Sequence, residues 1–157
     1  MLRILILCTG NSCRSIMAEG LFNHLAAGRV QAFSAGSFPT GSVHPMSLNT
    51  LKRHGISAQG YRSKSWDEFK NQTIDILITV CDNAAGETYP IFPSSPIKAH
   101  WGVPDPAHFA GTPAEIEAEF DRIFAILEKR IKALLRFPME EMCKDELTQK
   151  LNEIGRL

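Results

Sequence analysis

The chain has 157 residues, with 17 Lys+Arg against 17 Asp+Glu, 44% hydrophobic residues and 22% charged ones. This is the composition of an ordinary globular domain, read as one unit over residues 1–157 and long enough to bury roughly 70% of its unfolded surface. The zero formal charge argues against bulk nucleic-acid binding, which leans on a basic surface, and no apolar run approaches the ~20 residues of a membrane span.

The apolar part of residues 1–7 is too short for a secretory leader, and no small-residue cleavage site follows, so the expected location is the cytoplasm. Residues 4–7 form a short, fully apolar strand. A helix is expected over residues 16–27, then a second, weaker strand over 30–33. The next helix, over 45–54, stops at Gly55, a good residue for the position just past a helix end. Ile74-Asp75-Ile76-Leu77-Ile78-Thr79-Val80 is the strongest strand, rich in β-branched residues, and a fourth is expected over 97–101. Thr112-Pro113-Ala114-Glu115 is a capping box with proline at the first helical position. After it, Ile116, Phe120, Ile123, Phe124, Leu127, Ile131, Leu134 and Leu135 recur at three- and four-residue steps, the stripe of one long amphipathic helix. A last helix is expected to start near Met139 and run towards Ile154. Apolar strands alternating with helices predict an α/β fold: a four-stranded parallel sheet, doubly wound and flavodoxin-like.

In such a sheet ligands bind beyond the carboxyl ends of the strands. Three chemically equipped loops fall there: residues 8–15, 81–89 and 102–108. The four cysteines stand at 8, 13, 81 and 143. They show no C-x2-C spacing and no paired histidines, which excludes a simple zinc site.

The first loop, Cys8-Thr9-Gly10-Asn11-Ser12-Cys13-Arg14-Ser15, joins a strand to a helix. Its backbone N–H groups and the helix N-terminus together form a cradle for a tetrahedral oxyanion. Gly10 and Asn11 tolerate the left-handed backbone such a nest needs. Arg14 presents a planar guanidinium to two anion oxygens. The same field favours a Cys8 thiolate; a free thiol has a pKa of about 8.5, and comparable settings lower it to roughly 3.5–7.5. Ser15 is placed to donate to that thiolate. Cys13 is expected to pack beneath the loop. Pro106 restricts Asp105 to an extended backbone, which lets its side chain project over the crevice.

The run Cys8 to Ser15 followed by Met17-Ala18-Glu19, with Ser34-Ala35-Gly36 and His54-Gly55-Ile56, resembles the low-molecular-weight protein tyrosine phosphatase superfamily, which includes thiol-dependent arsenate reductases. The resemblance covers almost the whole chain. It implies Cys8 as nucleophile, Arg14 as oxyanion ligand, Thr9 to Ser15 as the anion-binding loop with Asn11 and Ser15 bracing it, and Asp105 as general acid. The small phosphatases typically carry Tyr after Asp-Pro, where this chain has Ala107. Ala99-His100-Trp101-Gly102-Val103-Pro104-Asp105-Pro106-Ala107 and Val80-Cys81-Asp82-Asn83-Ala84-Ala85-Gly86-Glu87 look like the arsenate reductases, in which Cys81 matches a second redox cysteine. Many members have a third cysteine where this chain has Tyr89. Either a Cys8–Cys81 disulfide then ends the relay, or a small thiol or redoxin intervenes directly. Cys143 lies in a polar C-terminal helix and is read as outside the relay.

Some of these reductases hold a monovalent cation with Asn, Glu, Ser and Asp. Asn11, Glu19 and Ser34 match three of these, and Lys64 stands where the Asp would be, so an internal ammonium replaces the ion and no metal is expected. The implied activity is arsenate reduction, with no bound cofactor and an external reductant, thioredoxin or glutathione with glutaredoxin. The implied partners are arsenate or phosphate and that reductant, not nucleic acid or membrane. The alternatives are a phosphotyrosine phosphatase working through a phosphocysteine, and a non-catalytic anion or redox sensor on the same fold.

Overall fold

Four short strands set the architecture, the two central ones apolar enough to be covered on both faces. The computed structural model describes residues 1–82 and 91–157. Among these, the strands are β1 (Leu2–Leu7), β2 (Val30–Ala35), β3 (Ile76–Thr79) and β4 (Ile97–His100), and they form one parallel sheet in the order β2-β1-β3-β4. The α-helices are α1 (Arg14–Leu25), α2 (Pro45–Arg53), α3 (Pro113–Leu135) and α4 (Lys144–Ile154). This is the parallel, doubly wound α/β arrangement expected from the sequence. No helix is long and apolar enough to cross a membrane among the described residues.

Successive strand residues point to opposite faces. Ile4, Ile6, Ile76 and Ile78 pack in one cluster with Phe22 of α1, the α3 stripe, and Leu147 and Leu151 of α4. Leu5, Leu7 and Leu77 pack on the other face with Phe69, Ile74 and Phe92. The α3 capping box is complete, with Glu115 N donating to Thr112 Oγ1 at 3.2 Å and Thr112 N to Glu115 Oε1 at 3.1 Å. Gly55 follows the α2 cap at a φ of 77°, the left-handed backbone expected there.

Several boundaries differ from expectation. α1 begins at Arg14, not Ile16, so Arg14 and Ser15 belong to its first turn. β2 runs on to Ala35. β3 is confined to Ile76–Thr79 although Ile74 and Val80 are fully buried. Ile74 N donates to Ser94 Oγ at 3.0 Å, so a side chain takes the place of a ladder partner. The single helix expected from Met139 splits into a 3-10 turn, Met139–Glu141, and α4. Met142 and Cys143 separate them with an extended backbone, ψ 144° and 161°.

The parallel register places the strand ends together. Leu7 at the end of β1 pairs with Ala35 and with Thr79, and Thr79 pairs with His100. Immediately past β2, Gly36 presses on the first loop: a Cβ there would lie 2.4 Å from Thr9 O and 2.7 Å from Cys8 O. Both obstacles are backbone, which cannot rotate away. Gly36→Ala is therefore expected to lower the unfolding free energy by about 1–3 kcal/mol, the cost of overpacking a tight site, measured by urea denaturation.

Candidate active site

The loop between β1 and α1 is held from outside by its carbonyl groups. Thr9 O accepts from Phe38 N, Gly10 O from Thr40 N, and Ser12 O from His44 N, at 3.0, 3.0 and 3.1 Å. Ser63 Oγ also donates to Gly10 O at 3.0 Å, and Ser47 Oγ to Ser12 O at 3.1 Å. With these carbonyls engaged elsewhere, the loop can turn N–H groups towards an anion, although Thr9 N already donates to Cys81 Sγ.

Asn11 turns the loop. It is fully buried and adopts a left-handed φ of 45°. Its Nδ2 donates to Ser15 Oγ at 2.9 Å and to Ser34 Oγ at 3.0 Å, and its Oδ1 accepts from Lys64 N at 2.9 Å. Gly10, expected to share the left-handed bend, is not among the positive-φ residues. Its small size serves close approach instead, since a Cβ would lie 3.2 Å from Thr40 Cγ2. Ser15 Oγ accepts the Asn11 bond, which leaves its own proton available to donate.

Behind Asn11 the network continues. Ser34 Oγ donates to Glu19 Oε1 at 2.5 Å, and Lys64 Nζ lies 3.8 Å from the same oxygen. Burial pushes the Glu19 carboxyl up and the Lys64 ammonium down. The Asn11, Ser34 and Glu19 side chains are thus spent on one another and on Lys64. No group of three or more His, Cys, Asp or Glu residues that could hold a metal ion occurs among the described residues.

The structure brings Cys8, Arg14, Asp105 and Cys81 together. Arg14 Nη1 donates to Val103 O at 3.0 Å, and Nη2 lies 3.4 Å from Asp105 Oδ2. Arg14 Nε is buried with no partner among the described residues, leaving a donor for a bound anion. Asp105 is extended, φ −85° and ψ 114°, as its following proline demands. Its Oδ1 accepts from Ala107 N at 2.9 Å, capping the Pro106–His108 turn, and its Oδ2 stays partly exposed towards Arg14 and His108. Cys13 is buried in the core beneath the loop, where burial pushes its thiol up to about 11. Cys143 is exposed at the start of α4.

Cys8 and Cys81 are both buried, neither is in a disulfide, and the two are in hydrogen-bond contact. Thr9 N also donates to Cys81 Sγ at 3.3 Å. The expected depression of the Cys8 pKa is not found. Its thiol is pushed well above the ordinary value, first by the hydrogen bond with Cys81 and then by burial. Arg14 and the Gly10 N–H act in the expected direction but are outweighed. Tyr89 and most of the expected 81–89 loop lie outside the described residues.

A cavity of about 590 Å³ opens over Cys8, bounded by the loop, Arg14, Asp105, Ala107 and His108. Sequence reasoning missed its other wall, Thr40 and residues 42–45. That wall follows β2 and so also lies beyond a strand end, the one signal that pointed to it.

The family model for low molecular weight phosphotyrosine protein phosphatase matches residues 3–150. An arsenate reductase of Halalkalibacterium halodurans is 39% identical over 129 residues, 82% of this chain and 91% of the relative. A solved arsenate reductase in its phosphate-binding state superposes with a TM-score of 0.68 at 27% identity, over 87% of this chain and 98% of that one. A thioredoxin-dependent arsenate reductase of Corynebacterium glutamicum superposes with a TM-score of 0.59 at 27% identity, over 84% of this chain and 62% of that one.

Because the strongest force raising the Cys8 pKa is its neighbour, Cys81→Ala is expected to lower it. An iodoacetamide pH profile of Cys8 alkylation checks this; a profile unmoved by the substitution contradicts it.

Proposed function

The chain belongs to the low molecular weight phosphotyrosine protein phosphatase family, and within it we propose that it is an arsenate reductase. The observation that carries this reading is the contact between the Cys8 and Cys81 thiols. Hydrolysis of a phosphocysteine needs only water. Reduction of arsenate needs two electrons, which two neighbouring thiols supply by becoming a disulfide. Ala107 after Asp105-Pro106, and relatives that carry the name arsenate reductase, support the same choice.

In the proposed reaction arsenate occupies the loop, against Arg14 and the backbone N–H groups. Cys8, as the thiolate, attacks arsenic. An As–O bond breaks, and the oxygen leaves as water with a proton from Asp105. Arsenic is still pentavalent in this adduct. The Cys81 thiolate then attacks the Cys8 sulfur, and the electron pair of the S–As bond stays on arsenic, which departs as arsenite. The Cys8–Cys81 disulfide is reduced by thiol–disulfide exchange. Thioredoxin is the reductant favoured by the Corynebacterium relative's name, with glutathione and glutaredoxin as the alternative. Such exchange fits the cytoplasm, where thiols are kept reduced.

A second reading, hydrolysis of an aryl phosphate through a phosphocysteine, shares every step up to the adduct. The cavity of about 590 Å³ is large enough for an aryl ester. Its described lining includes no Phe, Tyr or Trp on which a ring would stack.

Asp105→Asn is expected to reduce arsenate turnover by ~10²–10⁴-fold, the span of general acid–base catalysis, with little change in phosphate inhibition. An unchanged turnover removes Asp105 from the chemistry. A single turnover with arsenate and no reductant is expected to leave a Cys8–Cys81 disulfide, seen by peptide mapping. Cys81→Ser is expected to abolish arsenate reduction while sparing any para-nitrophenyl phosphate hydrolysis. If reduction survives with thioredoxin as sole reductant, the two-cysteine relay is wrong.

A further inference from the structure

Outside the cavity, the end of β3 and the end of β4 meet in a polar cluster that the proposed reaction does not use. His100 closes β4 and pairs in register with Thr79. Its ring lies between two side chains, with Nδ1 2.7 Å from Thr79 Oγ1 and Nε2 2.9 Å from Asp82 Oδ1. An ionised carboxylate only accepts, so Nε2 carries a proton and donates to Asp82. In the neutral ring Nδ1 is then an acceptor for the Thr79 hydroxyl. In the charged ring Nδ1 donates to Thr79 Oγ1, whose own proton has Ala99 O at 3.5 Å. The ring is anchored in either state.

Thr79 and Asp82 stand immediately on either side of Val80 and Cys81. One histidine therefore ties together the side chains two residues before and one residue after the second thiol. The backbone as far as Val80 is already fixed, with Val80 N donating to Leu7 O at 3.0 Å and Val103 N to Val80 O at 3.1 Å. The β3 ladder ends before Cys81. Asp82 is a surface residue, its side chain 95% exposed, so burial does not locate it. Gly102 supplies a second, independent observation. A Cβ there would lie 2.7 Å from His100 Nε2 and 3.1 Å from Asp82 Oδ1. The space that the pair occupies exists because position 102 has no side chain.

We propose that His100 is a positioning residue for Cys81: by tying Asp82 to Thr79 it holds the Cys81 sulfur against Cys8 for disulfide formation. This rests on the reading of Cys81 as the thiol that resolves the Cys8 adduct. An exposed pair contributes little to folding. Its effect lies in where one sulfur sits, and misplacement by about 1 Å can cost ~10²-fold in a reaction step.

The test follows Cys8–Cys81 disulfide formation in the full chain by rapid quench and peptide mapping, in two arms. One arm uses diamide, which takes two electrons and two protons from the thiols and so probes geometry without arsenate. The other uses arsenate in a single turnover. His100→Ala and Asp82→Ala are each expected to slow bond formation by roughly tenfold in both arms, between the small worth of an exposed pair and the cost of misplacement. His100→Gln keeps a donor for Asp82 and an acceptor for Thr79, and is expected to restore the rate. Inhibition by inorganic phosphate, which reads the cavity, is expected to stay unchanged in all three. If His100→Ala does not fold, the exposed Asp82→Ala decides. A wild-type rate for Asp82→Ala with diamide, a failure of His100→Gln to restore the rate, or no wild-type disulfide with diamide overturns the proposal. A wild-type disulfide with diamide but none with arsenate overturns the redox reading of Cys81 instead, and the diamide comparison still judges His100.

Discussion

Asn11 holds a backbone conformation that costs an L-residue about 1–2 kcal/mol, and it does so with a fully buried side chain. Its amide offsets this through Ser15, Ser34 and Lys64 N, each bond contributing about 1 kcal/mol net. These partners come from three separate parts of the chain: the start of α1, the end of β2 and the segment before β3. The loop that seats Cys8 and starts α1 at Arg14 is thus fixed by tertiary contacts as much as by its own sequence. If Asn11 were lost, buried groups on all three segments would lose a partner, and an unmet buried group costs more than its hydrogen bond contributes.

The same economy governs the charges. Glu19 and Lys64 are both largely buried, and burial disfavours each ion separately. Their mutual attraction and the Ser34 hydroxyl oppose that penalty. On the other side of the loop Arg14 is shared between Val103 O and Asp105, which couples the guanidinium to the loop after β4. Two ion pairs therefore flank the loop between β1 and α1, one behind it and one over it.

Much of this was legible in the sequence because local rules and tertiary demand agreed. Apolar strands at the spacing of βα units implied the parallel sheet, and Pro106 announced the extended Asp105. Asn11 announced the left-handed turn, although Gly10 beside it was misjudged because glycine serves close approach as readily as positive φ. The β3 limits were misjudged because Ile74 is as buried as a strand residue while its N–H goes to Ser94. The helix expected from Met139 failed at Met142 and Cys143, whose extended backbone carries no breaker residue to reveal it. The acidity of Cys8 was misjudged for a deeper reason: Arg14 and the loop are local and visible, whereas the sulfur that outweighs them lies 73 positions away, at Cys81. The His100–Asp82 pair is a surface contact between loop ends, and no periodicity marks it.

The raised Cys8 pKa and its proposed role as nucleophile are reconciled by counting protons over both sulfurs. When one of two contacting thiols ionises, the other becomes its hydrogen-bond donor, so the first proton lost belongs to the pair. Thr9 N donates to the Cys81 sulfur, and Arg14 with the Gly10 N–H favours the anion on Cys8. In the proposed reaction the first step needs the charge on Cys8 and the second needs it on Cys81. A shared proton meets both demands in turn: it rests on Cys81 while Cys8 attacks arsenic, and must leave Cys81 before that sulfur attacks Cys8. A hydrolase has no use for the second half of this exchange, because water takes the place of the second thiol. The contact that weakens Cys8 as an isolated nucleophile is thus the one that suits it to a two-electron reduction.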